Sequence, residues 1–328
     1  MATNQTLAPD ELGPTLCVGE IFVEIIATTT GNGFRAPQPL LGPFSSGAPA
    51  IFIDQCARMG GSAAMIGAVG NDGFGRVNLD RLSGDGVDIS GIAIDSEYPT
   101  GSAFVRYRQD GSRDFVFNIS TSAAAQISWN ENAKNLASRC GHLHVMGSAL
   151  SMPNAWSVIN NAANVIKARG GSISLDPNLR KELKYDEKTE EKFAQLVAMA
   201  DLLLPSGEEL ERASGVDGEQ KSIAKLHSFG IKEIVMKRGA TGATCFQSSG
   251  ARVDGSGFDV QELDPTGAGD CFGGAYVAAR RLGMPIEQAL TYGCAAGARN
   301  VTFRGPMEGA GTRAELDRFI ASNSRWGN

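Results

Sequence analysis

One short segment near the end of the chain combines small residues with a single carboxylate at a spacing suited to phosphate chemistry. Residues 263–275 read LDPTGAGDCFGGA, and an apolar helix is predicted to begin inside them. The first N–H groups of a helix have no partner within it and carry the positive end of its dipole, so the backbone at Gly267, Ala268 and Gly269 would attract an anion. Asp270 would repel a bound phosphate, but it could accept the proton of an attacking hydroxyl. The segment predicts phosphoryl transfer, the alternative being a glycine-rich turn capped by an aspartate.

Other patterns that often indicate nucleotide or metal chemistry are missing or incomplete. The sequence has no GxxxxGK[ST] motif, and no GxGxxG follows its first predicted strand. This counts against a P-loop enzyme and against a dinucleotide-binding Rossmann domain. His142 and His144 could share a metal ion, but no third ligand stands near them in the sequence, so we expect them to be strand residues.

The composition is that of an acidic globular protein. Of its 328 residues 42% are hydrophobic and 20% charged, which excludes a disordered chain. A net charge of −6 argues against a nucleic-acid partner, and no apolar run reaches the roughly 18 residues that a membrane-spanning helix needs. The first residues lack the pattern of a signal peptide, and the six cysteines are far apart with no CxxC pair. We therefore expect a cytoplasmic protein with reduced thiols and no membrane or nucleic-acid partner.

The elements that must position this segment follow a regular order. From about residue 130 onward, predicted helices alternate with short apolar strands. Parallel strands need helical crossovers, and the helices then cover both faces of the sheet, so the expected fold is a layered α/β/α structure. The predicted helices span residues 155–169, 190–200 and 222–229, and the predicted strands span 172–175, 201–204 and 231–237.

A second group of strands does not fit this alternation. The alternating residues 102–108, a turn at 109–112 and the run 113–117 predict a β-hairpin. No stretch has the composition of a linker, so we expect a single domain over residues 1–328. It would carry a small β-rich lid built from about 20–45 and 98–120.

The GAGD segment resembles the C-terminal signature of the PfkB (ribokinase-like) carbohydrate kinase family, D-[TP]-T-G-A-G-D, and matches it fully from Asp264 to Asp270. Residues 46–61 and 66–76 look like the N-terminal signature of the same family, in the right order and separation. The resemblance extends over nearly the whole chain. It implies a ribokinase-like three-layer α/β/α sandwich with a β lid, and an enzyme that uses ATP and Mg²⁺ to phosphorylate a sugar.

The same resemblance implies roles for the residues of the signature. Asp270 would be the base that deprotonates the sugar hydroxyl, and the three small residues before it would form the anion hole for the γ-phosphoryl group. Asp264 and Thr266 match positions that help many members to hold a monovalent cation such as K⁺. A strand end followed by a helix cap is the alternative for these two residues.

Three further segments resemble nucleotide-binding parts of the family. Glu209 matches the glutamate of an N-x-x-E motif that organises Mg²⁺ and its waters, with serine in place of asparagine. The sequence KRGATG at 237–242 follows a strand as the family's T-x-G-x-x-G loop does, and residues 293–300 resemble the helix of small residues beside the adenine. A helix-start carboxylate, a strand-to-strand turn and a tightly packed helix are the corresponding alternatives. The residues expected at the nucleotide and its metal are Ser206, Glu209, Lys237, Gly239, Gly242 and Asn300.

Departures from the family pattern fall on the sugar side. Ser46 and Gly47 stand where two glycines are usual, and Glu24 stands where an aspartate is usual. Residues 176–180 look like the D-x-N-x-R stretch of the branch that contains 2-keto-3-deoxygluconate kinases, and Arg106 lies on the predicted hairpin. The candidate sugar-binding residues are Glu24, Ser46, Gly47, Arg106, Asn178 and Arg180.

This set contains residues suited to a neutral sugar and residues suited to a sugar acid, so it does not decide the substrate. The resemblance, which is strongest to the branch of fructokinases, tagatose kinases and 2-keto-3-deoxygluconate kinases, implies a neutral ketohexose such as tagatose or fructose. A sugar acid would need a forked cation such as Arg106 or Arg180 and stays an alternative. A nucleoside kinase and a sensor that lost turnover are further alternatives. The lid also offers a surface through which a homodimer could form.

Overall fold

A nine-stranded sheet forms the centre of the computed structural model, which describes residues 6–178 and 187–323. Its strand order is β13-β12-β11-β10-β9-β8-β1-β4-β5. In chain order these strands are β1 (Thr15–Val18), β4 (Ala63–Gly70), β5 (Val87–Asp95), β8 (His142–Met146), β9 (Ser172–Asp176), β10 (Leu202–Leu203), β11 (Glu233–Lys237), β12 (Gly242–Gln247) and β13 (Arg252–Ser256).

The strands from β5 to β11 are all parallel, and only β12 and β13 run antiparallel to their neighbours. The change of direction has a local cause, because only residues 238–241 connect β11 to β12. A connection this short can join antiparallel strands only, whereas a parallel pair needs a crossover of a dozen or more residues. The alternation of helix and strand therefore predicts the parallel part of the sheet and not this edge.

Helices cover both faces of the sheet, which confirms the predicted ribokinase-like α/β/α layering. Alternate residues of β4 enter two separate hydrophobic clusters: Met65 lies with α1, α8 and α9 on one face, and Ile66 lies with α3, α4 and α5 on the other. The helices are α1 (Ala48–Arg58), α2 (Gly73–Gly84), α3 (Glu131–Ala137), α4 (Ala155–Ala168), α5 (Glu187–Met199), α6 (Glu209–Ser214), α7 (Glu219–Ser228), α8 (Ala268–Arg281), α9 (Ile286–Asn300) and α10 (Arg313–Ser322).

A second sheet of four strands stands beside the large one, in the order β3-β2-β6-β7. Strand β2 pairs antiparallel with β3 and parallel with β6, and the β6–β7 pair is the hairpin that the alternation predicts. We call this four-stranded sheet the small sheet. Its strands are β2 (Phe22–Ala27), β3 (Leu40–Ser46), β6 (Gly101–Tyr107) and β7 (Arg113–Asn118).

Two observations bear on the environment of the chain. Among the described residues, no helix combines the length and the apolar character needed to cross a bilayer. All six cysteines are buried and carry free thiols.

Candidate active site

The predicted phosphate-binding segment lies where α8 begins, at the edge of the large sheet formed by the carboxyl ends of β9 and β11. Gly267 is the residue before the helix, with φ +80°, and a Cβ on it would lie 2.3 Å from the carbonyl oxygen of Pro306. Glycine is thus required there by both conformation and space. The first N–H groups of α8 therefore lie beside the 305–309 loop, and the first N–H groups of a helix have no partner within it.

Asp270 lies in the first turn of α8 and is only 6% exposed. The side-chain amide of Asn178 donates a hydrogen bond of 3.3 Å to its Oδ1. Asn178 lies two residues after the end of β9 and has a φ of +31°, in the left-handed region that asparagine tolerates better than most residues. The structure therefore brings together a predicted base and a predicted sugar-binding residue that are 92 positions apart in the chain.

Lys237 ends β11 and forms an ion pair with Asp176, which ends β9. The two strands flank β10, so their ends lie on the same edge of the sheet. Burial opposes the charge of Lys237, but the carboxylates of Asp176, Glu209 and Asp270 outweigh it and raise the pKa of the ammonium group. Lys237 therefore stays a cation at neutral pH. Sequence reasoning did not select Asp176, although its place at the end of a buried parallel strand was a usable signal.

Glu209 and Ser206 are paired at the start of α6. Oε2 of Glu209 accepts hydrogen bonds from the backbone N–H and the hydroxyl of Ser206, at 2.8 and 2.7 Å. Ser206 also forms an isolated parallel bridge with Lys237, which places the pair beside the lysine. Among the described residues, no group of three or more histidine, cysteine, aspartate or glutamate side chains could hold a metal ion by itself.

A cavity of about 280 Å³ opens between the start of α8, helix α9 and the β11–β12 connection. Its floor is apolar and its glycines leave backbone exposed, a composition suited to a flat base joined to a polar chain. Lys237, Gly239, Gly242 and Gly269, which are among the residues expected at the nucleotide or its phosphates, all line it. The other lining residues are Ala240, Gly257, Phe258, Val260, Glu262, Pro265, Ala268, Phe272, Cys294, Gly297, Ala298 and Val301.

Asp264 and Thr266, predicted at a monovalent cation, are held by donors from three parts of the chain. The carboxylate of Asp264 accepts hydrogen bonds from the hydroxyl of Tyr107 and from the backbone N–H groups of Thr266 and Gly305. Arg113 donates to the hydroxyl of Thr266 at 3.1 Å. Tyr107 and Arg113 belong to the β6–β7 hairpin, so the small sheet reaches the loop before the anion hole. No motif or spacing predicts these two contacts.

Asn300 and Arg106 both donate hydrogen bonds to carbonyl oxygens of neighbouring loops. Asn300 is fully buried and is not among the residues lining the cavity; its Nδ2 donates to the carbonyl oxygen of Thr266 at 2.8 Å, because α9 ends against that loop. The guanidinium of Arg106 donates to the carbonyl oxygens of Thr29, Thr30 and Gly33. Arg106 thus holds the β2–β3 connection.

The structure describes three of the four remaining sugar-side candidates. Glu24 and Ser46 are buried on neighbouring strands of the small sheet, 3% and 2% exposed, and Gly47 precedes α1. Arg180 lies outside the described residues.

A carboxylate in the first turn of a helix, a predicted anion hole beside it and a cavity lined by a lysine and glycines are the features expected of a phosphotransferase site on a three-layer α/β/α fold. The chain matches the model of the pfkB family carbohydrate kinases over residues 15–313. It belongs to that family and is a sugar kinase.

Individual relatives agree with this assignment. Fructokinase-1 of Oryza sativa subsp. japonica is 30% identical over 315 residues, which cover 93% of this chain and 96% of the relative. An E. coli protein with the provisional name ribokinase II, solved with ATP and Mg²⁺, is 41% identical with a TM-score of 0.88, covering 94% of this chain and 99% of the other. A double mutant of Vibrio cholerae O395 fructokinase, solved with fructose, ADP and a potassium ion, is 27% identical with a TM-score of 0.78, covering 94% and 99%.

Proposed function

We propose that this sugar kinase transfers the γ-phosphoryl group of Mg·ATP to a hydroxyl of a neutral ketohexose such as fructose or tagatose. The observation that carries the proposal is the position of Asp270, buried in the first turn of α8 beside the cavity and hydrogen-bonded to Asn178. The fructokinase relatives, about 30% identical over nearly the whole chain, support fructose as one of the substrates to test first.

In the proposed reaction Asp270 accepts the proton of the sugar hydroxyl. The sugar oxygen forms a bond to the γ-phosphorus, the bond from that phosphorus to the bridging oxygen breaks, and the electron pair of that bond leaves with ADP. The N–H groups at Ala268 and Gly269 stabilise the charge on the transferring group. Bound Mg·ATP supplies the phosphorus and a metal charge that neutralises its oxygens. The contribution of the chain is thus positioning, charge stabilisation and one proton acceptor.

The donor set fits metal ions of two kinds. The carboxylate of Glu209 suits an Mg²⁺ held mainly by phosphates and water, the usual arrangement for this ion, and no protein cage is needed. For a monovalent cation such as K⁺, Asp264 and Thr266 offer oxygens, and Oδ1 of the fully buried Asn300 accepts no hydrogen bond from any residue that the structure describes. A buried oxygen of this kind is costly unless a ligand or water satisfies it. We therefore add Asn300 to the proposed cation site.

A neutral sugar is favoured over a sugar acid because Arg106, one of the two forked cations expected to hold an acid, is already engaged; the other, Arg180, lies outside the described residues. Arg106 donates to three backbone carbonyls of its own sheet connection, as described above. A sensor without turnover is disfavoured, since a pure binder gains nothing from a buried carboxylate at a phosphate site. The family match to carbohydrate kinases also favours a sugar over a nucleoside.

The test is a panel of fructose, tagatose, 2-keto-3-deoxygluconate, ribose and adenosine, assayed for ADP release and for the phosphorylated product. We expect kcat/KM for one of the two ketohexoses to exceed that for the acid at least tenfold, a difference of about 1.4 kcal/mol. A preference for the acid would overturn the choice of substrate, and a preference for adenosine would overturn the sugar itself.

The small sheet has two further proposed roles. As a lid over a single domain it would exclude water that competes with the sugar for the phosphoryl group. It would also pair with a second copy of the chain, because Leu40, Leu41 and Val116 on its strands are 42–45% exposed. Sedimentation velocity should show a dimer for the wild type and a monomer for Leu41→Lys; a wild-type monomer at all concentrations would refute this.

The proposed location is the cytoplasm, where six buried thiols would stay reduced. Alkylation of the unfolded chain purified from the cell, followed by mass measurement, should find all six modified. Disulfides in that material would contradict the proposal.

A further inference from the structure

The ammonium group of Lys237 lies against the first turn of α8. A Cβ built on Gly269 would be 3.6 Å from Nζ of Lys237, an ordinary contact distance. Gly269 directly precedes Asp270, so the lysine stands beside the anion hole at the end nearest the predicted base. The lysine therefore lies at the predicted anion hole, where the transferring phosphoryl group is expected.

The charges around this position are unevenly distributed. Lys237 is the only basic side chain among the described residues that line the cavity, while Asp176, Glu209 and Asp270 all act on it electrostatically. An anion entering the site would meet several carboxylates and a single cation. The affinity of the site for the terminal phosphate should depend strongly on that cation.

The geometry of Lys237 is set by its partner. Asp176 is buried, 1% exposed, and its Oδ2 accepts the hydrogen bond from Nζ. An ammonium group has three donors, so one bond to Asp176 leaves donors for a phosphate. The pair keeps a flexible lysine side chain in one place before the ligand arrives, which reduces the entropy lost on binding.

We propose that Lys237 binds the γ-phosphate and stabilises it during transfer, and that Asp176 is the positioning residue that holds its ammonium group at the anion hole. This role rests on the proposed function, since it assumes that the cavity takes ATP. In this proposal the positive charge at the anion hole has two sources: the N-terminus of α8 and the ammonium group of Lys237 at the end of β11.

The experiment compares the affinities of the wild type and Lys237→Met for AMP-PNP and ADP by calorimetry with Mg²⁺. The variant should bind AMP-PNP about 10- to 100-fold more weakly, as for the loss of one charge-assisted hydrogen bond, and ADP within about threefold of the wild type. Asp176→Asn should move the AMP-PNP to ADP ratio in the same direction by a smaller factor. If either residue had only a structural role, its substitution would lower the affinities for AMP-PNP and ADP by the same factor. That result would overturn the proposal.

Two controls keep the test decisive. Lys232→Met removes an exposed lysine at the opposite end of the same strand and should leave both affinities unchanged. If Lys237→Met does not fold because Asp176 is left buried and unpaired, the double variant Asp176→Asn/Lys237→Met removes both charges and should show the same selective loss. The ratio of the AMP-PNP and ADP affinities is measured without a sugar. A wild type that is inactive on every sugar tested would therefore refute the proposed substrate, and the affinity ratio would still test the role of Lys237.

Discussion

The hydroxyl of Tyr107, at the end of β6, donates a hydrogen bond to Asp264, three residues before Gly267 of the predicted anion hole. The two residues are 157 positions apart, and they join the small sheet to the loop that shapes the phosphate site. Burial and the adjacent carboxylate raise the pKa of Tyr107, so the phenol remains a donor at physiological pH. Any movement of the small sheet away from the site must break this bond.

Removing that bond should weaken the closed arrangement of the site. In Tyr107→Phe the loss of a hydrogen bond to a charged group, about 1.5 kcal/mol, should raise KM for the sugar about tenfold. Steady-state kinetics at saturating ATP would measure this. Tyr98→Phe is the control, because Tyr98 is exposed in the connection that leads to β6. An unchanged KM in Tyr107→Phe would mean that the bond is not part of substrate binding.

The proposed base can be tested by removing its charge alone. Asp270→Asn should lower kcat by about 10²–10⁴-fold, the usual contribution of general-base catalysis. Nucleotide affinity should change little, because the backbone N–H groups of α8 remain in place. Asp217→Asn, an exposed carboxylate before α7, should leave kcat unchanged. Turnover close to that of the wild type in Asp270→Asn would rule out this assignment.

Glu209 offers a separate test of the proposed metal site. Glu209→Gln keeps an oxygen that can accept from Ser206 and loses the charge that would attract Mg²⁺ through water. The Mg²⁺ concentration for half-maximal rate should therefore rise, while KM for the sugar stays the same. The neighbouring exposed Glu208, changed to Gln, is the matched control. A shift in the sugar KM without a shift in Mg²⁺ dependence would assign Glu209 to another part of the site.

Local patterns predicted the parts of the site that depend on neighbouring residues. The start of α8 follows from glycine chemistry and the apolar run after it, and the β6–β7 hairpin follows from alternation around a turn. The ion pair between Asp176 and Lys237 could not be predicted in this way. It depends on β9 and β11 flanking β10, and neither residue spacing nor composition determines strand order.

Arg106 shows a different limit. The period of two places it on one face of β6 together with Arg108, and this prediction concerns only the direction of the side chain. Its partners are carbonyl oxygens of residues 29–33, which carry no sequence signal because every residue has a carbonyl. Arg108 pairs instead with Asp114 across the hairpin. The sequence therefore predicts the strand and the face on which Arg106 lies, but the residue type alone does not predict which groups its side chain contacts.

The last prediction concerns stability and its dependence on pH. Asp72 caps the start of α2: its carboxylate accepts from the backbone N–H of Gly75 and from the N–H and hydroxyl of Thr100, at 2.7–2.8 Å. Burial alone would raise the pKa of Asp72, but these hydrogen bonds outweigh it and hold the pKa below its usual value. A carboxyl group with a lower pKa in the folded state stabilises the fold above its unfolded pKa, near 4, and loses that contribution as the pH falls through the folded value.

Asp72→Ala should therefore lower the free energy of unfolding by about 1–2 kcal/mol at pH 7, the usual cost of losing a helix cap. The difference from the wild type should shrink below pH 4, where the wild-type carboxyl group becomes protonated. Urea unfolding at pH 7 and at pH 3 would measure both values. Asp80→Ala, on the exposed side of the same helix, should change stability by less than about 0.5 kcal/mol at either pH. A difference for Asp72→Ala that stays constant with pH would show that the side chain acts through packing and not through its charge.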